Sequence, residues 1–233
     1  MNRIALITGG TRGLGRALSL DLARQGFTVF ATGRTRRTLE VLAADAAAEG
    51  LDVRPLLADV ADQEANAALA ETVRAAGGLD VLVHNASVLG PRVALADYPA
   101  DVFRAVLDTN VFGPFDLTRR LRPLLRPNAA VLFLTSGVGV VGKAGWGAYS
   151  VSKFALEGLA QIEAEELRSA GVRVFTVDPG SMRTDMRALA YPDEDPSALR
   201  RPEDNTAPFL WALLEAGPEH TGTRIKAQAW TAA

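Results

Sequence analysis

The chain contains no cysteine. That excludes disulfides, thiol nucleophiles and cysteine-ligated zinc. Histidine is almost as scarce, at positions 84 and 220 only. Two residues so far apart in sequence do not make a metal cluster, and no metal is expected. Lysine occurs three times, as Lys143, Lys153 and Lys226, so arginine carries most of the positive charge. The formal net charge is −2, which gives no reason to expect a nucleic-acid or membrane partner. Apolar runs such as Ala129–Leu134 are far shorter than the roughly 20 residues that span a bilayer. Met1–Thr8 is a short apolar run leading straight into glycines, unlike a signal peptide. These absences point to a soluble cytoplasmic protein with a small-molecule partner.

What is present is a rhythm. Short apolar runs lie at Ile4–Thr8, Thr28–Ala31, Val53–Leu57, Val81–His84, Val131–Thr135, Val172–Val177 and Arg224–Ala229. Each has the length and composition of a strand buried on both faces. Between them lie helix-length stretches: Gly13–Gln25, Arg36–Glu49, Asp62–Ala76, Pro99–Leu125, Ala148–Ala170 and Pro202–Ala216. The alternation predicts an α/β protein with a doubly wound Rossmann fold: about seven parallel strands with helices on both faces. With 233 residues, 48% hydrophobic, a single domain over 1–233 is expected. Ser181–Arg201 is the irregular segment, with Pro192, Pro196 and the acidic run Asp193–Asp195. A loop that long in a compact domain is usually functional, and here it is read as a substrate lid.

The first strand runs into Thr8-Gly9-Gly10-Thr11-Arg12-Gly13-Leu14-Gly15. Its glycines allow a tight turn and a close approach to a pyrophosphate. The helix that follows offers free N–H groups and its positive dipole end. Gly9, Thr11, Arg12, Gly13, Leu14 and Gly15 are therefore candidate dinucleotide contacts. After the second strand, an acid would hydrogen-bond an adenosine ribose 2′-hydroxyl. This chain has Gly33-Arg34-Thr35-Arg36-Arg37 there, and the nearest acid is Glu40. Arg34 is placed to face a 2′-phosphate, with Arg12 in reach of the same group. NADP(H) is favoured over NAD(H).

Over almost its whole length the sequence resembles a short-chain dehydrogenase/reductase. Thr8–Gly15 matches that family's T-G-x-x-x-G-x-G. Asp59-Val60 matches its adenine-contacting Asp. His84-Asn85-Ala86-Ser87 is similar to its N-N-A-G, with His84 and Ser87 as departures. Tyr149-x-x-x-Lys153 matches its most specific motif, and Pro179–Thr184 resembles its P-G-x-x-x-T. The resemblance implies that Asn85 and Ala86 pack on the adenosine side of the cofactor. It also implies that Pro179, Gly180, Met182 and Thr184 lie along the nicotinamide. Oligomerisation as a tetramer or dimer, through the long helices around Asn110 and Tyr149, is implied too.

Four residues carry the expected chemistry. Tyr149 and Lys153, at i and i+4, share one helix face. An unperturbed phenol has a pKa of about 10, too high for efficient proton transfer near neutrality, and a neighbouring ammonium lowers it. Tyr149 is then the general acid for carbonyl reduction or the base for alcohol oxidation. Ser136 ends the fifth run, where active sites of open α/β sheets collect, and would steady charge on the substrate oxygen. The resemblance makes Asn110 the fourth member, holding a water near the lysine. It also gives Lys153 the nicotinamide ribose hydroxyls.

The expected activity is NADP(H)-dependent hydride transfer involving a ketone, aldehyde or secondary alcohol. Two alternatives stand beside it: a 3-oxoacyl-carrier-protein reductase, and a non-catalytic NADP-binding regulator on the same fold. Arg126, Arg168 and Arg173 are the candidates for a carrier-protein patch. Ser87–Val93, Gly137–Trp146 and the lid should line a largely apolar substrate pocket. Arg92 and Arg183 are candidates for a substrate carboxylate. Trp146 either floors the pocket or caps a helix, and Asp178 faces either solvent or substrate. His84 is read as a core residue.

Overall fold

The computed structural model describes residues 2–231. Its strands are β1 (Arg3–Ile7), β2 (Phe27–Gly33), β3 (Val53–Leu57), β4 (Leu79–His84), β5 (Leu125–Leu134), β6 (Arg173–Asp178) and β7 (Arg224–Lys226). The helices are α1 (Gly13–Arg24), α2 (Arg36–Ala48), α3 (Gln63–Ala75), α4 (Ala100–Leu107), α5 (Gly113–Leu121), α6 (Gly147–Leu167), α7 (Asp185–Ala190) and α8 (Ala207–Leu210). The strands make one parallel sheet in the order β3-β2-β1-β4-β5-β6-β7.

Alternation of side chains divides the core into two layers. Ala5 and Ile7 of β1 pack with Leu14, Leu18 and Leu22 of α1 and with Phe209 of α8. Ile4 and Leu6 of the same strand pack on the other face, with α3, α5 and α6. All seven residues of β2 are buried. That is why the central strands read as continuous apolar runs; the edge strands β3 and β7, expected to be buried on both faces as well, are only partly buried because each has a neighbour on one side alone. The winding reverses between β1 and β4, and the crevice at such a point is where ligands bind in open α/β sheets.

Several expected elements differ. Pro202–Ala216 is not one helix: a 3₁₀ turn, Pro202–Asn205, precedes α8 and a π turn, Trp211–Glu215, follows it, and the last strand ends at Lys226 rather than Ala229. Pro99–Leu125 is not one helix: a wide π turn, Asp108–Phe112, separates α4 from α5. Pro114 explains part of this. It has no N–H, so the Asn110 carbonyl four residues earlier lacks its α-helical donor. At the end of that stretch, Leu125 belongs to β5, pairing with Leu79 before the ladder slips to Val81–Ala130. The slip passes through Asn128 at φ 65°, a conformation asparagine tolerates. Finally, the Ser181–Arg201 segment is partly ordered by α7, whose N-cap Thr184 accepts a bond from the Arg187 N–H.

Candidate active site

A cavity of about 1160 Å³ follows the C-terminal ends of the strands. Gly9, Thr11, Arg12, Gly13, Leu14, Arg34, Asp59, Val60, Asn85 and Ala86 line one end. Ser136, Tyr149, Lys153, Pro179, Gly180, Met182 and Thr184 line the other. Gly15 and Asn110 are not among the lining residues; both lie behind the wall.

At the first end the wall is mostly backbone. Gly9 has φ +63°, and a Cβ there would sit 3.0 Å from the Ala86 Cα. A Cβ on Gly15 would collide with the Gly9 carbonyl oxygen and the Asn85 side chain. Asn85 ties the two loops together: its Nδ2 donates to the Thr8 and Gly9 carbonyls, both at 2.9 Å. The Thr8 hydroxyl accepts from the N–H groups of Asn85 and Ala86. Helix α1 has no side-chain N-cap and no acid in its first turn, so its positive end meets the cavity uncompensated. These features fit a pyrophosphate. Arg34 lies 3.6 Å from Asp59, and Arg12 pairs with Asp185 of α7 at 2.9 Å. Both arginines are more than half exposed, so these pairs are weak and either guanidinium can turn to a phosphate.

At the second end the wall is side chain. Tyr149, on the first turn of α6, is buried near the Ser136 hydroxyl. Burial pushes the phenol up to about 12; the Ser136 hydroxyl opposes this and the Asp178 carboxylate adds to it. The expectation that Lys153 lowers this pKa is not met: burial outweighs it. The Lys153 ammonium lies 5.4 Å from the ring centre and donates to the Leu134 carbonyl at 2.7 Å. Burial lowers Lys153 itself to about 8, against the pull of Glu157 and Asp178.

Asn110 is fully engaged. Its Oδ1 accepts from the Val88 N–H at 2.8 Å, and its Nδ2 donates to the Val88 carbonyl and the Ser152 hydroxyl, both at 2.9 Å. The side chain therefore ties the π turn to α6 and to the loop after β4. Both of its side-chain donors are taken.

Several smaller expectations are now decided. Ser87 does not have positive φ, so replacing the family's glycine brings no backbone strain. His84 is a core residue, stacked on Phe133 at 4.7 Å with its Nε2 2.7 Å from the Thr118 hydroxyl. Burial drops its pKa to about 3, so it is neutral. Trp146 lines the cavity, 5.7 Å from the Tyr149 ring centre. Arg92 does not line it: its guanidinium stacks on Trp146 and Tyr191, at 4.5 and 4.9 Å. Arg126 and Arg173 open β5 and β6, on the sheet edge opposite the cavity, where they bind backbone carbonyls. Arg168 pairs with Glu165. These three make no carrier patch at the cavity mouth.

Sequence reasoning missed Arg224 and Lys226. Both line the cavity, because β7 runs parallel to β6 with Lys226 opposite Asp178. The signal was available in the topology, since a last parallel strand delivers its C-terminal residues to the same edge. Asp178 is mostly buried, bonded to Gly180 N–H and to Arg224. All three lysines of the chain line this one cavity. Among the described residues no cluster of three potential metal ligands occurs, and no helix is long and apolar enough to cross a membrane.

The model of the family described as short chain dehydrogenase matches residues 3–195. This chain belongs to that family. Short-chain dehydrogenases are oxidoreductases, and the relatives agree. The oxidoreductase YciK of Escherichia coli K12 is 35% identical over 97% of this chain and 92% of its own. A Staphylococcus aureus 3-oxoacyl-[acyl-carrier-protein] reductase, FabG, is 35% identical over 80% of this chain and 77% of its own. Among solved structures, a short chain dehydrogenase from Escherichia coli CFT073, complexed with NADPH, superposes with a TM-score of 0.92. It is 35% identical, and the match covers 98% of both chains. A Pseudomonas syringae short chain dehydrogenase superposes at 0.91 with 39% identity, over 97% of this chain and 94% of that one.

Proposed function

We propose that the protein is an NADP(H)-dependent oxidoreductase that interconverts a ketone or aldehyde and the corresponding alcohol, with Tyr149 as general acid/base. The observation that carries this reading is the convergence of Ser136, Tyr149 and Lys153 in the same cavity as the glycine loop. When bound, the nicotinamide supplies or accepts the hydride at its C4. The protein supplies orientation, charge and the proton. Ser136 donates to the substrate oxygen as negative charge grows on it. Tyr149, held as a phenol by burial, gives that oxygen its proton in the reductive direction. Lys153 holds the ribose hydroxyls and supplies the positive charge that the phenolate needs in the oxidative direction. Asn110 fixes Val88 and α6, and its carbonyl holds a water on the path to solvent.

NADP(H) rather than NAD(H) is supported by Arg34 and Arg12 at the adenosine end and by the lack of an acid after β2. The NADPH carried by the Escherichia coli CFT073 relative agrees with this choice. The chain works in this reading as one cytoplasmic unit, with Ser181–Arg201 as its lid and no nucleic-acid or membrane partner. Val138, Val140, Val141, Trp146, Met182, Met186 and Tyr191 give the substrate end an apolar cast. A homo-oligomer, dimer or tetramer, accounts for Phe112, Phe115, Val151, Phe154 and Ile162, all exposed near α5 and α6. Light scattering giving a single 24.7 kDa species would remove it.

The deciding experiment replaces Tyr149 by Phe. Turnover of a ketone and aldehyde panel should fall by about 10²–10⁴-fold while NADPH affinity stays near wild type. Unchanged turnover would remove Tyr149 as the acid, and NADPH binding by the wild type with no turnover of any carbonyl would favour a non-catalytic NADP-binding regulator. The likeness to FabG keeps a 3-oxoacyl thioester as the second substrate class. Turnover of acetoacetyl thioester in preference to simple ketones selects it.

A further inference from the structure

Arg224 sits on β7, outside every motif of the sequence, yet it touches the catalytic centre. Its Nη2 donates to the Ser136 carbonyl and to the Asp178 carboxylate, each at 3.2 Å. Its Nε donates to Glu157 at 2.8 Å. Side-chain exposure is 21% for Arg224, 9% for Glu157 and 15% for Asp178, so the group is largely out of water. A fork of N–H donors suits this task, since one planar group reaches three acceptors on three elements. The acceptors matter individually. Ser136 carries the hydroxyl that favours ionisation of Tyr149. Glu157 lies one turn along α6 from Lys153. Asp178 closes β6 and lines the cavity.

We propose that Arg224 is a positioning residue of the catalytic centre: it holds the Ser136 backbone in place and offsets part of the charge of the two carboxylates that stand behind Tyr149 and Lys153. Without it, Glu157 and Asp178 would be two mostly buried negative charges facing an ammonium and a phenol. Both groups would bind their protons more tightly. The charged groups packed around Lys153 are Glu157 on its own helix, Asp178 at the end of β6 and Arg224 on β7; Asn110 and Ser152 are neutral. The raised proton affinity of Tyr149 under the influence of Asp178, and the pull of Glu157 and Asp178 on Lys153, agree with this arrangement. Burial opposes charge on Arg224, but Glu157 and Asp178 hold its guanidinium firmly protonated, so its compensating charge is always present.

This role adds to the reductase reading and rests on it, but its test needs neither substrate nor cofactor. Protein labelled with ¹³C at lysine Cε has three lysine signals, and Lys153→Met identifies the one that belongs to Lys153. In the wild type that signal should titrate near pH 8. Arg224→Met keeps the side-chain length and removes the charge, and should move the titration up by about one pH unit. Adding Asp178→Asn to that variant should bring it back toward the wild type. Asp178→Asn alone should move it down, which keeps the test open if Arg224→Met does not fold. A Lys153 signal that stays within about 0.2 pH unit of wild type in the folded variants would overturn the proposal. The two readings fail separately. An active enzyme with an unmoved Lys153 signal loses only the role of Arg224. A protein that reduces no carbonyl yet shows the shifts loses only the reductase reading.

Discussion

At Gly9 and Gly13 the cavity wall is main chain, with Gly15 packed close behind it for want of a side chain. At Ser136, Tyr149 and Lys153 it is side chain brought close by burial. The first end is held by Asn85 and Thr8, which stitch two loops through hydrogen bonds to backbone. Its own arginines are exposed and loosely paired. The second end is held by a helix start, a π turn and an ionic group, bound through Asn110, Lys153 and the Ser136 carbonyl. On the proposed function, the difference follows from what each end has to do. A pyrophosphate is recognised by many N–H groups at a fixed distance, and a dipole that needs no titration serves it well. Proton transfer needs groups whose affinities are set by their surroundings, and only burial and neighbouring charge set them.

This contrast can be broken at the first end by steric means. Gly15→Val pushes a side chain into the Gly9 carbonyl and Asn85. Overpacking of this kind costs about 1–3 kcal/mol, so NADPH affinity measured by nicotinamide fluorescence should fall about tenfold to a hundredfold. Unchanged affinity would mean that the loop is not held by that close approach. A milder change sharpens the contrast. Arg34→Asp leaves the backbone cradle intact and removes a charge-assisted bond, worth about 1.5–3 kcal/mol. The ratio of NADPH to NADH affinity should drop by about tenfold or more. An unaltered ratio would show that Arg34 does not touch the 2′ group.

How much of this was legible in the sequence follows the same division. The glycine loop and the seven strands were readable because backbone requirements leave local traces: a missing side chain, a period of two, a run of buried residues. Tyr149 and Lys153 were readable because four positions along a helix is also a local relation. What a linear reading missed depended on contacts between distant segments. The break at Asp108–Phe112 hides within an apolar, helix-like stretch, and only Pro114 hints at it. Arg224 lies 88 residues from the Ser136 carbonyl it holds. The phenol of Tyr149 was expected to be lowered by Lys153, but the helix spacing says nothing of how deeply either is buried. Arg92 looked free for a substrate carboxylate, and stacking on Trp146 and Tyr191 takes it away.

The smallest effect tests the second end through stability alone. Burial has lowered Lys153 to about 8 from 10.5. Below about pH 8 the folded and unfolded chains both hold this proton. Between about 8 and 10.5 the unfolded chain still binds it and the folded chain has released it. The unfolded state binds more protons there, so the stability contributed by this residue rises with pH across that window. Lys153→Met has no such group. The wild type should therefore gain on the variant by about 1–2 kcal/mol between pH 8 and 10, with the two running parallel below pH 8. Calorimetric melting of both proteins at several pH values reads this directly. The absolute offset between them also contains the lost bond to the Leu134 carbonyl, but the slope does not. A slope of the opposite sign would mean that Glu157 and Asp178 outweigh burial, and that Lys153 is held charged more firmly in the folded chain than outside it.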